Sequence, residues 1–259
     1  MLSVETFPSM AEAGQALGDR ARYLAGGTLV MRAVTYGDQS FERIVRARQV
    51  DRAIGNDAAG LRIGAGATMA DVLASGDLAF LHPVAQTIGG PAIRNMATVG
   101  GNLFAANPYG DFAVALLALN AQAVMANGQV QPVETLLAGR ERPSGLVTAI
   151  TLPRVDAGSF RYRKISRVKP KGVSLMSIAV NLMRGEVRVV FGNMGPRALR
   201  APAAERALAN GLNDASIAAA CAACLEGLQP TDDPLATEWY RREVAPVHLA
   251  RLLNDGGVR

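Results

Sequence analysis

The chain has 259 residues, 49% of them hydrophobic and 19% charged, with a formal net charge of +5. That length supports a substantial core in one large domain or two small ones, and the composition excludes a disordered, collagenous or coiled-coil protein. The basic balance raises nucleic acid as a partner, yet Lys and Arg are spread along the chain and the one dense run, RYRKISRVKPK at 161–171, lacks the interleaved aromatics of a stacking platform. A basic edge strand and loop, or a contact for an anionic ligand or partner, fits that run better.

The N-terminal MLSVETFPSMAEAG has no basic-then-apolar run, so no secretory signal is expected. Ser9 and Glu12 form a capping box before the helix pattern MAEAGQALG, with Gly18 placed to stop it. ARYLAGGTLV reads as a strand running into a glycine turn, and FERIVRA and LRIGAGAT as further strands. Thr68 and Asp71 cap a second short helix, MADVLAS. Strand and helix alternate here without the long crossover helices of a doubly wound sheet.

DFAVALLALNA reads as a helix with Asp111 at its first position. The most apolar stretch, Phe112 to Ala126, is broken by Asn120 and Gln122 and falls short of the roughly 20 residues that span a bilayer. No membrane span is expected, and a cytoplasmic protein is. AQAVMANGQVQPV predicts a hairpin with a two-residue turn at Asn127-Gly128. SGLVTAITLP ends at Pro153, and RVDAGS after it is the best boundary candidate.

Beyond it come the strand FRYRKISRV and a hairpin turning at Arg184 and Gly185. Helices follow at 202–210, 215–225 and about 234–254, the last with a bend at Pro246. Strands succeeded by helices predict an α+β fold. The chain has no internal repeat.

Cys221 and Cys224 in DASIAAACAACLEGL have CxxC spacing, but alanine surrounds them, no second CxxC exists, and His82 and His248 are isolated. Two thiols on an apolar helix are the expected reading, and no metal site is expected. An iron–sulfur cluster normally takes four protein ligands, which this chain cannot supply alone.

Two glycine pairs carry more chemistry. Gly26-Gly27 in LAGGTLV and Gly100-Gly101 in TVGGN each follow an apolar strand and sit beside a hydroxyl or amide side chain. Consecutive glycines let backbone N–H groups turn into one concavity and approach an anion such as a pyrophosphate, although a single Gly-Gly pair is more often just a turn. The dinucleotide fingerprint of a Rossmann fold is not met by IGAGATMAD or any other stretch.

LAGGTLV, IGAGATMADVL, IGGPAIRNMATVGGNLFAANPYGDFAVALLALNAQ, LVTAITLP, RYRKISR and WYRREVAPVHLARLL together resemble, in order and spacing, the FAD-binding medium subunit of molybdenum hydroxylases. That is the family of xanthine dehydrogenase and aerobic carbon monoxide dehydrogenase, and the resemblance runs over nearly the whole chain. It implies a two-lobed FAD-binding fold of the PCMH and carbon monoxide dehydrogenase flavoprotein type. The FAD-binding domain would be 1–155, in subdomains of about 1–55 and 56–155, and an α+β lobe at 156–259 would cover the flavin.

On this sequence the resemblance assigns Leu24, Ala25, Gly26, Gly27, Thr28, Leu29 and Val30 to the pyrophosphate. Thr98, Gly100, Gly101 and Asn102 would form the second half of the cradle. Asp111 would accept hydrogen bonds from ligand hydroxyls, with a helix N-cap as the alternative role. Ile88 and Val147 would lie against the cofactor, Lys164 would bring a positive charge to the flavin, and Arg94 and Asn95 would serve structure or the adenine side. The chain departs from the family pattern at Leu29, where Asp is common, at Ala92, where Gln is common, and in NPYGD, which replaces a serine-rich segment. None of these removes a backbone donor.

The implied activity is that of an electron-transferring flavoprotein subunit with no catalytic acid, base or nucleophile of its own. A large partner would carry a molybdenum–pterin centre and hydroxylate substrate, and a small partner would carry two [2Fe-2S] clusters. Electrons would leave for NAD+, O2 or a quinone, and the assembly would be a dimer of heterotrimers. The alternatives are a self-sufficient FAD oxidase or reductase of the related fold and a scaffold subunit that has lost the flavin.

Overall fold

The computed structural model describes residues 2–58, 60–140, 145–153, 155–168 and 172–255. It opens with β1 (Ser3–Phe7), α1 (Met10–Gln15), β2 (Ala21–Tyr23), α2 (Val30–Thr35) and β3 (Arg43–Ala47). The three strands run parallel in the order β1-β3-β2. Met10, Ala13, Ala21, Val45 and Ala47 close a small core with Leu146. Ser9 caps α1, its Oγ accepting from the Glu12 N–H at 3.2 Å, while Glu12 Oε1 accepts from that Oγ at 2.8 Å, so half of the expected capping box forms. The helix α2 was not legible, because TLVMRAV is as apolar and β-branched as the end of a strand.

Next come β4 (Ile54–Asp57), β5 (Gly60–Gly64), α3 (Met69–Ala74), α4 (His82–Ala85), α5 (Pro91–Arg94), α6 (Val99–Leu103) and α7 (Asp111–Ala118), then β6 (Gln122–Met125), β7 (Val130–Pro132), α8 (Val133–Ala138) and β8 (Val147–Leu152). The strands form an antiparallel sheet in the order β4-β5-β8-β6-β7. Thr68 and Asp71 make a full capping box on α3.

The β6–β7 turn differs from the expected two-residue one. The Met125 N–H bonds Gln129 O at 2.8 Å and the Gly128 N–H bonds Met125 O at 2.9 Å, while Gly128 is left-handed at φ 84 and Asn127 is not. This is a three-residue loop closed by a left-handed glycine, the next commonest hairpin solution. Asn127 uses its side-chain Oδ1 to accept from the Gln129 N–H instead of adopting positive φ.

The remaining elements are β9 (Phe160–Ile165), β10 (Met176–Asn181), β11 (Arg188–Gly192), β12 (Leu199–Arg200), α9 (Pro202–Leu208), α10 (Asp214–Ala223) and α11 (Glu238–Asn254). The strands make an antiparallel sheet in the order β12-β11-β10-β9. The third helix starts later than its pattern suggested because Thr237 caps it, accepting from the Tyr240 N–H, and it continues through Pro246.

The described chain divides into two compact units that are not contiguous in sequence. One holds 1–79, 88–105 and 121–153, the other 80–87, 106–120 and 154–259. Residues 80–87 and 106–120 are thus exchanged into the unit that holds 154–259. The physical basis is α7, all eight of whose residues are buried, with Val114 reaching Gly192 of β11. One face of β10–β11 packs on α7 and the other on a core of Ile178, Val180, Phe191, Leu208, Leu249 and Leu252. All six residues of β10 are buried, as both faces being covered requires.

Buried polar groups tie this second unit together. Arg241, 1% exposed, donates to the carbonyls of Leu175, Thr231 and Ala236 and to Asp233 Oδ2 at 2.6–3.0 Å. Glu205 holds Arg200 with both oxygens and accepts from the Val189 N–H. Within the basic run, Arg161, Arg163 and Lys164 have internal partners. Arg161 caps the Leu252 and Leu253 carbonyls of α11 and Arg163 pairs with Asp255, while 169–171 lie outside the described residues.

Residues 1–155 expressed alone would expose the face of α7 that packs on β10 and β11, so they are expected to aggregate or to melt without a cooperative transition. A monomeric fragment with a sharp unfolding curve would contradict the exchange. Arg241→Met leaves three carbonyls and a carboxylate without their donor, and should lower stability by about 3 kcal/mol in urea unfolding near neutral pH. Burial raises the Asp233 carboxyl, but hydrogen bonds from the Ala236 and Leu235 N–H groups and from Arg241 outweigh it, so its pKa lies below the usual value. A depressed carboxylate stabilises the fold above its unfolded pKa and loses that contribution as pH falls through the folded one. The difference between wild type and variant should therefore shrink below about pH 4.

Candidate functional site

The Leu24 N–H still bonds Val45 O at 2.8 Å, in continuation of the β2–β3 pairing. The next amide to find a protein acceptor is that of Met31, on Gly27 O at 2.9 Å. Between them the N–H groups of Ala25, Gly26, Gly27, Thr28, Leu29 and Val30 have no acceptor among the described residues. Gly27 is left-handed at φ 76, which turns the chain from β2 into α2 and suits glycine alone. A consecutive run of open amides with no acidic side chain is the arrangement that binds an anion.

At the second glycine pair the amides have acceptors within the protein. The Gly100 N–H bonds Ala65 O at 2.9 Å and the Asn102 N–H bonds Thr98 O at 3.0 Å. The Gly101 N–H bonds Thr98 Oγ1 at 3.0 Å, the N-cap bond of α6. These three amides are therefore committed within the protein. Absence of side chains lets segments press together: a Cβ on Gly100 would stand 2.8 Å from Ala65 Cβ, and one on Gly101 would stand 2.9 Å from Thr98 Oγ1 and 3.5 Å from Ala25 Cβ. A Cβ on Gly26 would overlap the Met96 carbonyl oxygen. The two glycine loops thus meet, the first keeping its donors open and the second forming the wall behind it.

Sequence reasoning missed the apolar rim of this loop. Met31 and Met96 are 45% and 55% exposed; the Met31 side chain lies by Gly27 and the Met96 backbone carbonyl by Gly26. Exposed methionines beside open amides offer adaptable apolar contact, but nothing in the spacing of either residue announces it. Ile88 is half-buried and Val147, the first residue of β8, is buried. Arg94 donates to Gly89 O at 2.7 Å and Asn95 ends α5, so both have structural work.

Asp111 and Lys164 come together in the unit that contains α7 and β9. Lys164 Nζ lies 2.8 Å from Asp111 Oδ2, and each side chain is 7% exposed. Lys164 also donates to Thr87 O at 2.9 Å. Asp111 is not the N-cap of α7: that position belongs to Gly110, at φ 93, with Asp111 as the first helical residue. Two residues before Lys164 on the same strand face, the Tyr162 hydroxyl is fully enclosed without a well-formed hydrogen bond. Burial pushes its phenol well above the ordinary value, the Asp111 charge adds to the rise, and Thr87 and Ser177 oppose it. Tyr162 was not singled out from sequence, though strand alternation puts it on the face of Lys164.

Cys224 is buried in the core, where burial and then Cys221 push its thiol up to about 12. Among the described residues no group of three or more His, Cys, Asp or Glu side chains gathers as a metal site, and no helix is long and apolar enough to cross a membrane.

Residues 2–155 match the family described as FAD binding domain in molybdopterin dehydrogenase, and residues 161–255 match the CO dehydrogenase flavoprotein C-terminal domain. The chain is similar to the glyceraldehyde dehydrogenase medium chain of Sulfolobus acidocaldarius, 27% identical with 73% of each chain covered. It is similar to the carbon monoxide dehydrogenase medium chain of Hydrogenophaga pseudoflava, 24% identical over 94% of this chain and 91% of that one. A solved structure of carbon monoxide dehydrogenase from Hydrogenophaga pseudoflava superposes with a TM-score of 0.88 and 25% identity, covering 98% of this chain and 96% of that one. With its open amide loop, its α+β lobes and a family match over more than half its length, the chain belongs to the FAD-binding family of molybdopterin dehydrogenases, a family of oxidoreductase flavoproteins.

Proposed function

We propose that this chain is the flavoprotein subunit of a heteromeric molybdenum hydroxylase. It takes electrons one at a time from a small [2Fe-2S] subunit and passes them to NAD+, O2 or a quinone, while substrate is hydroxylated on a large molybdopterin-binding subunit. A dimer of such heterotrimers is the assembly this reading carries. The observation behind it is the row of N–H groups from Ala25 to Val30 left without protein acceptors. In support, the relatives from Sulfolobus acidocaldarius and Hydrogenophaga pseudoflava are each called a medium chain.

When bound, FAD supplies the redox chemistry itself, and the protein's part is to hold the cofactor and tune it. In this reading the amides of residues 25–30 take the pyrophosphate oxygens, which needs no basic side chain because oriented N–H dipoles carry the positive charge. Thr98, Gly100, Gly101 and Asn102 hold the wall that keeps that loop in shape. Ile88 and Val147 exclude water from the apolar parts of the cofactor, and Lys164 sets the charge beside the flavin.

The purified complex should carry one FAD per copy of this chain, and the chain alone, given FAD and freed of the excess, should show flavin absorbance without iron–sulfur bands. Absence of flavin from both would remove the reading. A sharper check is Gly101→Val, whose side chain would push on Thr98 Oγ1 and Ala25 and so displace the loop from behind. FAD affinity should fall more than tenfold, about 1.4 kcal/mol or more, while loss of the α6 cap costs the fold only about 1 kcal/mol. Unchanged flavin content in a folded Gly101→Val variant would sink the cradle placement.

A further inference from the structure

The open amides of the loop after β2 lie beside the side chain of one methionine. The Met31 N–H closes the first turn of α2 on Gly27 O at 2.9 Å, and Thr35 Oγ1 donates to the Met31 carbonyl at 2.9 Å. The backbone of Met31 is thereby fixed, and its side chain leans back over the loop, as helical side chains do. A Cβ on Gly27 would stand 3.4 Å from Met31 Cγ and 3.3 Å from Leu24 Cδ1. The sulfur is one bond beyond that Cγ. Among the described methionines, Met10, Met69, Met125, Met176 and Met194 are buried and Met183 is half-buried, whereas Met31 and Met96 are exposed.

A thioether is a weak acceptor, and it leaves the N–H groups from Ala25 to Val30 available. Two-electron oxidation changes that. A hydroperoxide gives one oxygen atom to the sulfur: its O–O bond breaks, an S–O bond forms, sulfur is oxidised to the sulfoxide, and the peroxide is reduced to an alcohol, or to water when the donor is hydrogen peroxide. The product is polar, and its oxygen is a strong acceptor carried on a flexible side chain. Next to donors that lack acceptors, such an oxygen satisfies from within what an anionic ligand satisfies from outside.

We propose that Met31 is an oxidation-sensitive modification site of the amide loop, at which a hydroperoxide turns an apolar neighbour into an internal competitor for the donors that hold the ligand. This rests on the reading that the loop takes the FAD pyrophosphate. Exposure lets the oxidant reach the sulfur, and the place of the side chain over Gly27 makes the ligand feel the change. A thiol-dependent methionine sulfoxide reductase returns the thioether, so the loss of affinity reverses.

The test treats the full-length chain, freed of flavin, with hydrogen peroxide and locates the sulfoxides by peptide mapping. FAD affinity is read from the quenching of flavin fluorescence, with melting temperature as a control for the fold. Expected results are modification of Met31 and Met96 before the five buried methionines, a fall in FAD affinity of about tenfold, and recovery after sulfoxide reductase treatment. Met31→Leu should lose most of the peroxide-dependent fall, and Met96→Leu should keep it. Met31→Gln, whose side-chain carbonyl imitates the sulfoxide oxygen, should bind FAD more weakly than Met31→Leu with no oxidant present. Oxidation of buried methionines ahead of Met31, unchanged affinity once Met31 is modified, a fall that survives in Met31→Leu, or equal affinities for the Gln and Leu variants would overturn the inference and leave FAD on the loop. Failure of both the untreated chain and the untreated complex to bind FAD would instead remove the reading on which it rests, and the inference with it.

Discussion

The site depends on one close approach, that of Gly26 to the carbonyl of Met96. Any side chain at position 26 would strike that oxygen, and the loop after β2 would have to move off the segment that leads into α6. The loop could then fold back and satisfy its own amides. Held where it is, between β2 and α2 and against residues 96–101, it leaves a row of donors facing outward with nothing in the protein to accept from them. Unsatisfied donors cost stability unless water or a ligand takes them, so their alignment is a feature the fold maintains for something else.

The second constraint is the burial of α7. A helix with no exposed face must be enclosed by neighbours on all sides, and among α7's neighbours are β10, β11 and α4. This brings Asp111, at its first residue, against Lys164 of β9. The same packing that excludes water from Phe112 and Leu116 therefore creates the low-dielectric setting in which a carboxylate and an ammonium become mutually dependent. Packing and electrostatics are here one fact seen twice.

Elsewhere the second unit shows how individual arginines are taken up by internal acceptors. Arg161, Arg163, Arg200 and Arg241 each cap carbonyls or pair with carboxylates inside the unit. Guanidinium groups suit this role because several N–H donors in a fixed plane satisfy several acceptors at once.

What the sequence by itself determined is local. The caps at Ser9 and Thr68, the glycine turns, the strand-then-helix order of the C-terminal half and the AGGT and IRNMATVGGN segments are read from adjacent residues, because caps, turns and periodicity act over three or four positions. The family resemblance rests on the same short segments. Tertiary structure decided the rest. Which glycine pair keeps its amides open depends on Ala65 and Thr98 being present to take those of the other. Whether Lys164 is a free cation depends on Asp111, 53 positions away in the sequence. Which sheet receives α7 depends on the apolar faces that other segments leave uncovered. Hydrogen-bond satisfaction, charge pairing and burial are settled by neighbours in space, and no spacing along the chain encodes them.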